Sequence, residues 1–372
     1  MSEYKVGLVV NPIAGMGGKV GLKGTDGPRI VEKARELGAE PVAPERAVKA
    51  LGRLRDTDLD LEILTFSDEM GEDEAKEVGF DPRVVQEIDS GETTPEDTKE
   101  AAAKFLEEEV DIILFAGGDG TARDLLELVD MDVPLLGIPT GVKMHSAAFV
   151  NTPEIAGRLV ERYLRGNLPL REAEIMDVDE EAFRENELET DLKGFGQTPY
   201  DPRLVQAAKS PTVTSGSEKE DQKAIARWVV EQVEEDRLYI LAPGTTTRAV
   251  EEEMGISEFT LLGVDLVRNG ELLAKDVTER RILDEIEDDS ATIIVSPIGK
   301  QGFILGRGNQ QVSPKVVRKV GIDNIMILAT PGKIAETSML KVDTGDPDLD
   351  EEFQGYARVI MGYKITRPVP VA

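Results

Sequence analysis

The stretch Asp111-Ile-Ile-Leu-Phe-Ala-Gly-Gly-Asp-Gly-Thr-Ala-Arg-Asp124 decides how the rest of the chain is read. Its opening run, Asp111–Ala116, has the near-continuous apolar character of a strand buried on both faces. The run breaks at Gly117-Gly118 and restarts at Thr121 with helical spacing, Ala122-Arg-Asp-Leu-Leu-Glu-Leu-Val129. A strand that turns tightly through glycines into a helix leaves backbone N–H groups pointing outward, which favours a phosphate. Asp119 inside that turn repels phosphate, and makes sense if it holds a metal ion or a substrate hydroxyl beside the phosphate.

Outward from this turn, the same alternation recurs through the first half. Residues 5–10 predict a first strand ending at Asn11-Pro12, followed by the glycine-rich stretch 13–27 and a helix over 29–37 closed by Gly38. A second helix is expected over 45–55 and a second strand over 61–66. Thr94-Pro95-Glu96-Asp97 is a helix start, with a hydroxyl cap, proline at the first helical position and an acid at the third. That helix runs to about Glu109. After the central turn come a strand over 133–138, the loop Pro139–Ser146, and a helix from Asn151/Thr152-Pro153 to about Arg165. Strands alternating with helices imply a doubly wound parallel sheet, a Rossmann-like α/β domain spanning residues 1–168.

From about 171 the texture changes. Residues 179–221 are polar with scattered apolar positions and read as long loops or a surface excursion, with room for a short helix. Beyond them an amphipathic helix is expected over 223–233, an apolar run over 238–242, the loop Pro243–Arg248, and a short helix over 247–254. Asn269-Gly270 between two apolar runs is a strong hairpin signal. Further strands are expected over 291–296, 324–329 and 357–363. Residues 169–372 therefore read as a second, β-rich mixed domain, with the last residues as candidates for a return to the first.

Composition narrows the function. The chain has 372 residues and a net charge of −30, from Lys+Arg 43 against Asp+Glu 73. Nucleic-acid and anionic-membrane surfaces rest on basic patches, so neither partner is expected. The acidity fits a well-solvated surface or a salt-rich cytoplasm. There are no cysteines, which excludes disulfides, thiolate metal sites and cysteine nucleophiles and fits a cytoplasmic protein. No apolar run reaches the length of a membrane span, and the first residues show no signal or transit pattern.

No G-x-x-x-x-G-K-[ST] or clean G-x-G-x-x-G occurs, so neither common nucleotide fingerprint is present. What remains are three glycine-bearing turns at the carboxyl ends of expected strands: Asn11–Gly18, Gly117–Thr121 and Thr140–His145. In an open α/β sheet those ends share the edge where ligands bind. Candidate phosphate or nucleotide contacts are Asn11, Gly15, Gly17, Gly18, Gly117, Gly118, Gly120, Thr121 and Arg123. The alternative for Arg123 is an ion pair with Asp124 or Glu127. His145 is the only histidine and reads either as a hydrogen-bonded structural residue or as a ligand contact beside Lys143.

Gly117-Gly-Asp-Gly-Thr121, preceded by an Asn-Pro turn after the first strand, resembles the NAD kinase and diacylglycerol/sphingosine kinase superfamily. The resemblance is closest to the archaeal ATP-NAD kinase branch and to acetoin-catabolism accessory proteins. It extends to Leu135–Phe149 and to Leu241-Ala-Pro-Gly-Thr-Thr-Thr247, which is similar to a threonine/serine-glycine loop in the second domain of NAD kinases. It implies ATP-dependent phosphorylation of a hydroxyl, foremost the 2′-hydroxyl of NAD, with ATP or polyphosphate as donor and Mg2+ assisting. It assigns Asp119 to the acceptor proton and the amides of Gly117, Gly118, Gly120 and Thr121 to donor phosphates, with Lys143 or Arg123 offsetting charge. It assigns Thr140, Gly141, Lys143, His145, Gly244, Thr245, Thr246 and Thr247 to the acceptor. Small-molecule nucleotides are the implied partners, and relatives that self-associate imply a homo-oligomer. Arg123-Asp124 and Lys143-Met-His145 depart from the better-known branches at acceptor-contacting positions. Phosphorylation of another small hydroxyl compound, such as a sugar or polyol, and a catalytically silent nucleotide-binding module remain as alternatives.

Overall fold

A computed structural model describes residues 4–18, 20–22, 28–88, 93–140, 144–178, 190–201, 205, 216–258, 263–286, 291–298, 302–337 and 339–372. The chain divides into two units, Met1–Met16 with Gly24–Lys209, and Gly17–Lys23 with Ser210–Ala372.

In the first unit, β1 (Tyr4–Val10), β2 (Leu61–Phe66), β3 (Arg83–Gln86), β4 (Ile112–Gly117) and β5 (Leu135–Pro139) form a five-stranded sheet in the order β3-β2-β1-β4-β5. All four pairings are parallel. The helices are α1 (Pro28–Glu36), α2 (Ala43–Arg55), α3 (Glu72–Glu77), α4 (Pro95–Glu107), α5 (Asp119–Val129) and α6 (Pro153–Leu164). Alternation along β4 sorts its side chains between two cores. Ile112, Leu114 and Ala116 pack with Ala47, Leu51 and Leu54 of α2 and Leu159 and Val160 of α6. Ile113 and Phe115 pack with Phe105 of α4 and Leu125 and Val129 of α5. A central strand apolar at every position is what two covered faces require. α4 starts as its sequence dictates: Thr94 N donates to Asp97 Oδ2 at 2.7 Å in a capping box, with Pro95 at the first position.

The excursion expected over 179–221 contains regular structure. β6 (Leu170–Val178) and β7 (Thr190–Pro199) pair antiparallel from Leu170↔Pro199 to Val178↔Thr190. Ala173 and Ile175 of β6 are buried in the core under α4 and α5, so the hairpin belongs to the first unit. The first unit therefore extends past 168 to Lys209. The rest of that excursion, apart from residues 200, 201, 205 and 216–221, lies outside the described residues.

The second unit holds a seven-stranded mixed sheet in the order β10-β9-β8-β11-β13-β15-β16. Its strands are β8 (Leu238–Leu241), β9 (Asp265–Arg268), β10 (Glu271–Ala274), β11 (Ala291–Val295), β13 (Ile325–Leu328), β15 (Gly355–Gly362) and β16 (Ile365–Val371), while β12 (Phe303–Leu305) and β14 (Lys341–Val342) pair separately. β8, β11, β13 and β15 run parallel, whereas β9, β10 and β16 are antiparallel to their neighbours. The β9–β10 hairpin turns at Asn269-Gly270, with φ of 56° and 75°, as the Asn-Gly signal requires. The terminal β16 pairs with β15 and stays in this unit. Among the described residues no helix is long and apolar enough to cross a membrane.

Candidate functional site

The sheet order of the first unit reverses between β1 and β4: the chain steps from β1 to β2 and β3 on one side, then to β4 and β5 on the other. Loops leaving two such strands part in opposite directions and open a crevice at their carboxyl ends. The turn after β1 and the turn after β4 both stand there.

Asn11 ties the two turns together. Its backbone N–H continues the ladder to the Ala116 carbonyl at 2.9 Å. Its Nδ2 donates to Thr121 Oγ1 at 3.1 Å, and its Oδ1 accepts from Ile13 N at 3.3 Å. Thr121 in turn leans on Gly117, where an added Cβ would lie 2.5 Å from Thr121 Oγ1. Only glycine lets the helix start this close to the strand. No side chain caps α5 at Gly118, so its first-turn amides, those of Gly120 and Thr121 among them, are presented to whatever occupies the crevice.

Asp119 opens α5 and is 8% exposed. Its Oδ2 accepts from the backbone N of His145 at 2.7 Å, and its Oδ1 accepts from Ser146 N at 2.9 Å and Ser146 Oγ at 2.6 Å. Ser146 Oγ also accepts from Met176 N at 3.0 Å. The carboxylate thus fastens the loop after β5 to the start of α5, while Ser146 fastens that loop to β6. The helix N-terminus favours the same negative charge. His145 is 2% exposed, and its backbone N–H makes the bond to Asp119.

Arg123, one turn along, is held by two carboxylates: Nε and Nη2 contact Asp124 Oδ1 at 3.0 and 2.8 Å, and Nη1 contacts Asp177 Oδ2 at 2.7 Å. Burial raises the Asp124 pKa, and the Arg123 guanidinium opposes that rise. Thr140 is 1% exposed, and its Oγ1 has no hydrogen-bond partner among the described residues. Gly141 and Lys143 lie outside the described residues. Gly15 lies in the turn after β1, whereas Gly17 and Gly18 group with the second unit.

Gly244, Thr245, Thr246 and Thr247 lie wholly in the second unit. Gly244 is the N-cap of the helix Thr245–Glu253, so the three threonines form its first turn instead of preceding it. Gln222 Nε2 donates to Thr245 Oγ1 at 3.2 Å, and Thr247 Oγ1 donates to the Gly244 carbonyl at 2.8 Å.

Two residues of the first-unit site carry no sequence motif. Ser146 was visible only as a neighbour of the lone histidine. Arg46, inside α2, donates from Nη1 to the Pro139 carbonyl at 2.9 Å and is 9% exposed. No group of three or more His, Cys, Asp or Glu side chains among the described residues could hold a metal ion. Asp119 already accepts three protein hydrogen bonds, so these residues do not offer a protein cage for Mg2+. A hollow of about 660 Å³ in the second unit, lined by Glu234, Glu235, Asp236 and Glu253, is carboxylate-rich and therefore unsuited to phosphate.

Comparison with protein-family models matches residues 6–168 to the ATP-NAD kinase N-terminal domain and residues 235–371 to the ATP-NAD kinase C-terminal domain. A search of curated proteins gave no match.

Proposed function

Because the chain belongs to the ATP-NAD kinase family, we propose that it transfers the terminal phosphoryl group of ATP to the 2′-hydroxyl of the adenosine ribose of NAD, forming NADP and ADP. One observation carries this reading: a buried carboxylate, Asp119, sits at an uncapped helix start in the switch-point crevice of the first unit. The 2′-oxygen forms a bond to the γ-phosphorus while the bond between that phosphorus and the β,γ-bridging oxygen breaks. The hydroxyl proton passes to, or is oriented by, Asp119, and ADP carries away the electron pair of the broken bond. Such a transition state needs positioning and charge stabilisation more than covalent chemistry. The first-turn amides around Gly118, Gly120 and Thr121 supply fixed positive dipoles for the phosphate oxygens. Mg2+, which neutralises phosphate charge in such reactions, would arrive on the nucleotide.

A second reading, a nucleotide-binding protein without turnover, has one observation in its favour. The three hydrogen bonds into Asp119 are also those of a carboxylate that only fastens a loop. Purified protein incubated with NAD and Mg-ATP separates the two. Formation of NADP, lost in Asp119→Asn, supports the kinase; binding of both nucleotides with no NADP supports the silent module.

A further inference from the structure

The second unit has a switch point of its own. From β8 the chain moves to β9 and β10 on one side, then returns to β11, β13 and β15 on the other. The crevice between the carboxyl ends of β8 and β11 is where an open sheet of this kind receives a ligand. Three segments meet there. The turn after β8 delivers Gly244 and the first turn of the helix Thr245–Glu253. β11 delivers Ser296, which is 3% exposed. The segment after β13 delivers Lys333, whose Nζ donates to Ser296 Oγ at 3.0 Å.

The chemistry of these groups is that of an anion site. No side chain caps the helix Thr245–Glu253, so its first amides present unsatisfied donors. Thr246 is fully buried, and its Oγ1 has no partner among the described residues. Gly244 sets the helix start beside the end of β11: a Cβ there would lie 3.6 Å from Ser296 Cβ. Lys333 is a half-buried cation whose ammonium, among the described residues, donates to a neutral hydroxyl. Burial pushes its pKa down to about 8, against the through-space pull of Glu218. A desolvated ammonium beside open helix amides gains most from an oxyanion.

We propose that this crevice is a phosphate subsite, in which Lys333, Ser296 and the first-turn amides at Thr245–Thr247 hold a phosphate group of a bound nucleotide. That the nucleotide is the dinucleotide acceptor or ATP rests on the kinase reading; that the group is a phosphate does not.

The test uses the full chain and inorganic pyrophosphate as probe, read by calorimetry and by the shift in melting temperature. Wild type is expected to bind pyrophosphate. Lys333→Gln is expected to weaken that binding by about tenfold or more, and Lys333→Arg to recover part of it. As a check that needs no variant, pyrophosphate should protect Lys333 of the wild-type chain from an amine-reactive label located by mass spectrometry. Titrations of NAD and of ATP then identify the source: a Lys333→Gln loss confined to NAD places the acceptor pyrophosphate here, and one confined to ATP places the donor. Pyrophosphate binding that depends on Lys333 supports the subsite even where no NADP is formed, so the two readings fail separately. A folded Lys333→Gln chain that binds pyrophosphate, NAD and ATP as wild type does would overturn the proposal, as would unprotected labelling of Lys333.

Discussion

The two sheets of this chain reverse their strand order in the same way but dress the resulting crevices oppositely. Between β1 and β4 the crevice carries a carboxylate, Asp119, fixed by two backbone N–H groups and a hydroxyl. Between β8 and β11 it carries an ammonium, Lys333, that donates to a serine hydroxyl. Both place an uncapped helix start beside the charged group. The same topology thus sets a residue of opposite sign at each switch point, Asp119 at the start of α5 and Lys333 within the helix Pro331–Glu336.

The first crevice can be broken most severely at its carboxylate. Asp119→Asn keeps the shape but turns an NH2 toward the N–H groups of His145 or Ser146. NADP formation, assayed with an NADP-specific dehydrogenase, is expected to fall by about 10²- to 10⁴-fold, with Lys333-dependent pyrophosphate binding retained. Truncating the core beneath it is a purely structural contrast. Phe105 is fully buried, and its ring fills the space over Gly7, where a Cβ would lie 2.7 Å away. Phe105→Ala is expected to lose about 3–5 kcal/mol in denaturant unfolding. Ser146→Ala sharpens the comparison by loosening Asp119 without removing it. One donor to Oδ1 is lost, and Met176 N loses its acceptor. A roughly tenfold drop in kcat with little change in the KM for NAD is expected, in proportion to one charged hydrogen bond.

A more gradual effect, spread over the pH range, is expected from Glu74. Glu74 of α3 is 4% exposed, and burial, with Asp73, Glu69 and Glu77 nearby, pushes its pKa up to about 7. The unfolded chain releases this proton near 4.5, while the folded chain keeps it. Stability is therefore expected to decline as pH rises between those values, by at most about 1.4 kcal/mol per pH unit, and to level off above them. Glu74→Gln should flatten that slope in melting curves collected across pH. Glu251 of the second unit, raised by burial and by its neighbour Asp265, continues the decline to higher pH.

Much of the frame was legible because local signals agreed. The unbroken apolar run of β4, the Thr-Pro-Glu-Asp start of α4 and the Asn-Gly turn between β9 and β10 each name one conformation. β3 was not legible: it is four residues long, at the sheet edge, and begins with an exposed arginine. The β6–β7 hairpin was hidden because β7, Thr190–Pro199, mixes Asp, Lys, Gln and two glycines with few apolar positions. In the site, the acid and its glycines were visible as a contiguous motif. Ser146 was not, since its bond to Asp119 spans 27 residues; nor was Lys333, whose partner Ser296 lies 37 residues away. Periodicity reports what a residue does along its own element and is silent on what meets it across a crevice.

The most direct measurement is the product itself. Purified wild-type chain is incubated with NAD and Mg-ATP, and in parallel with polyphosphate as donor and with sugars and polyols as acceptors. NADP is expected from NAD and ATP, with sugars and polyols left unphosphorylated. No NADP from a chain that binds both nucleotides, or phosphate appearing on a sugar or polyol instead, would contradict it.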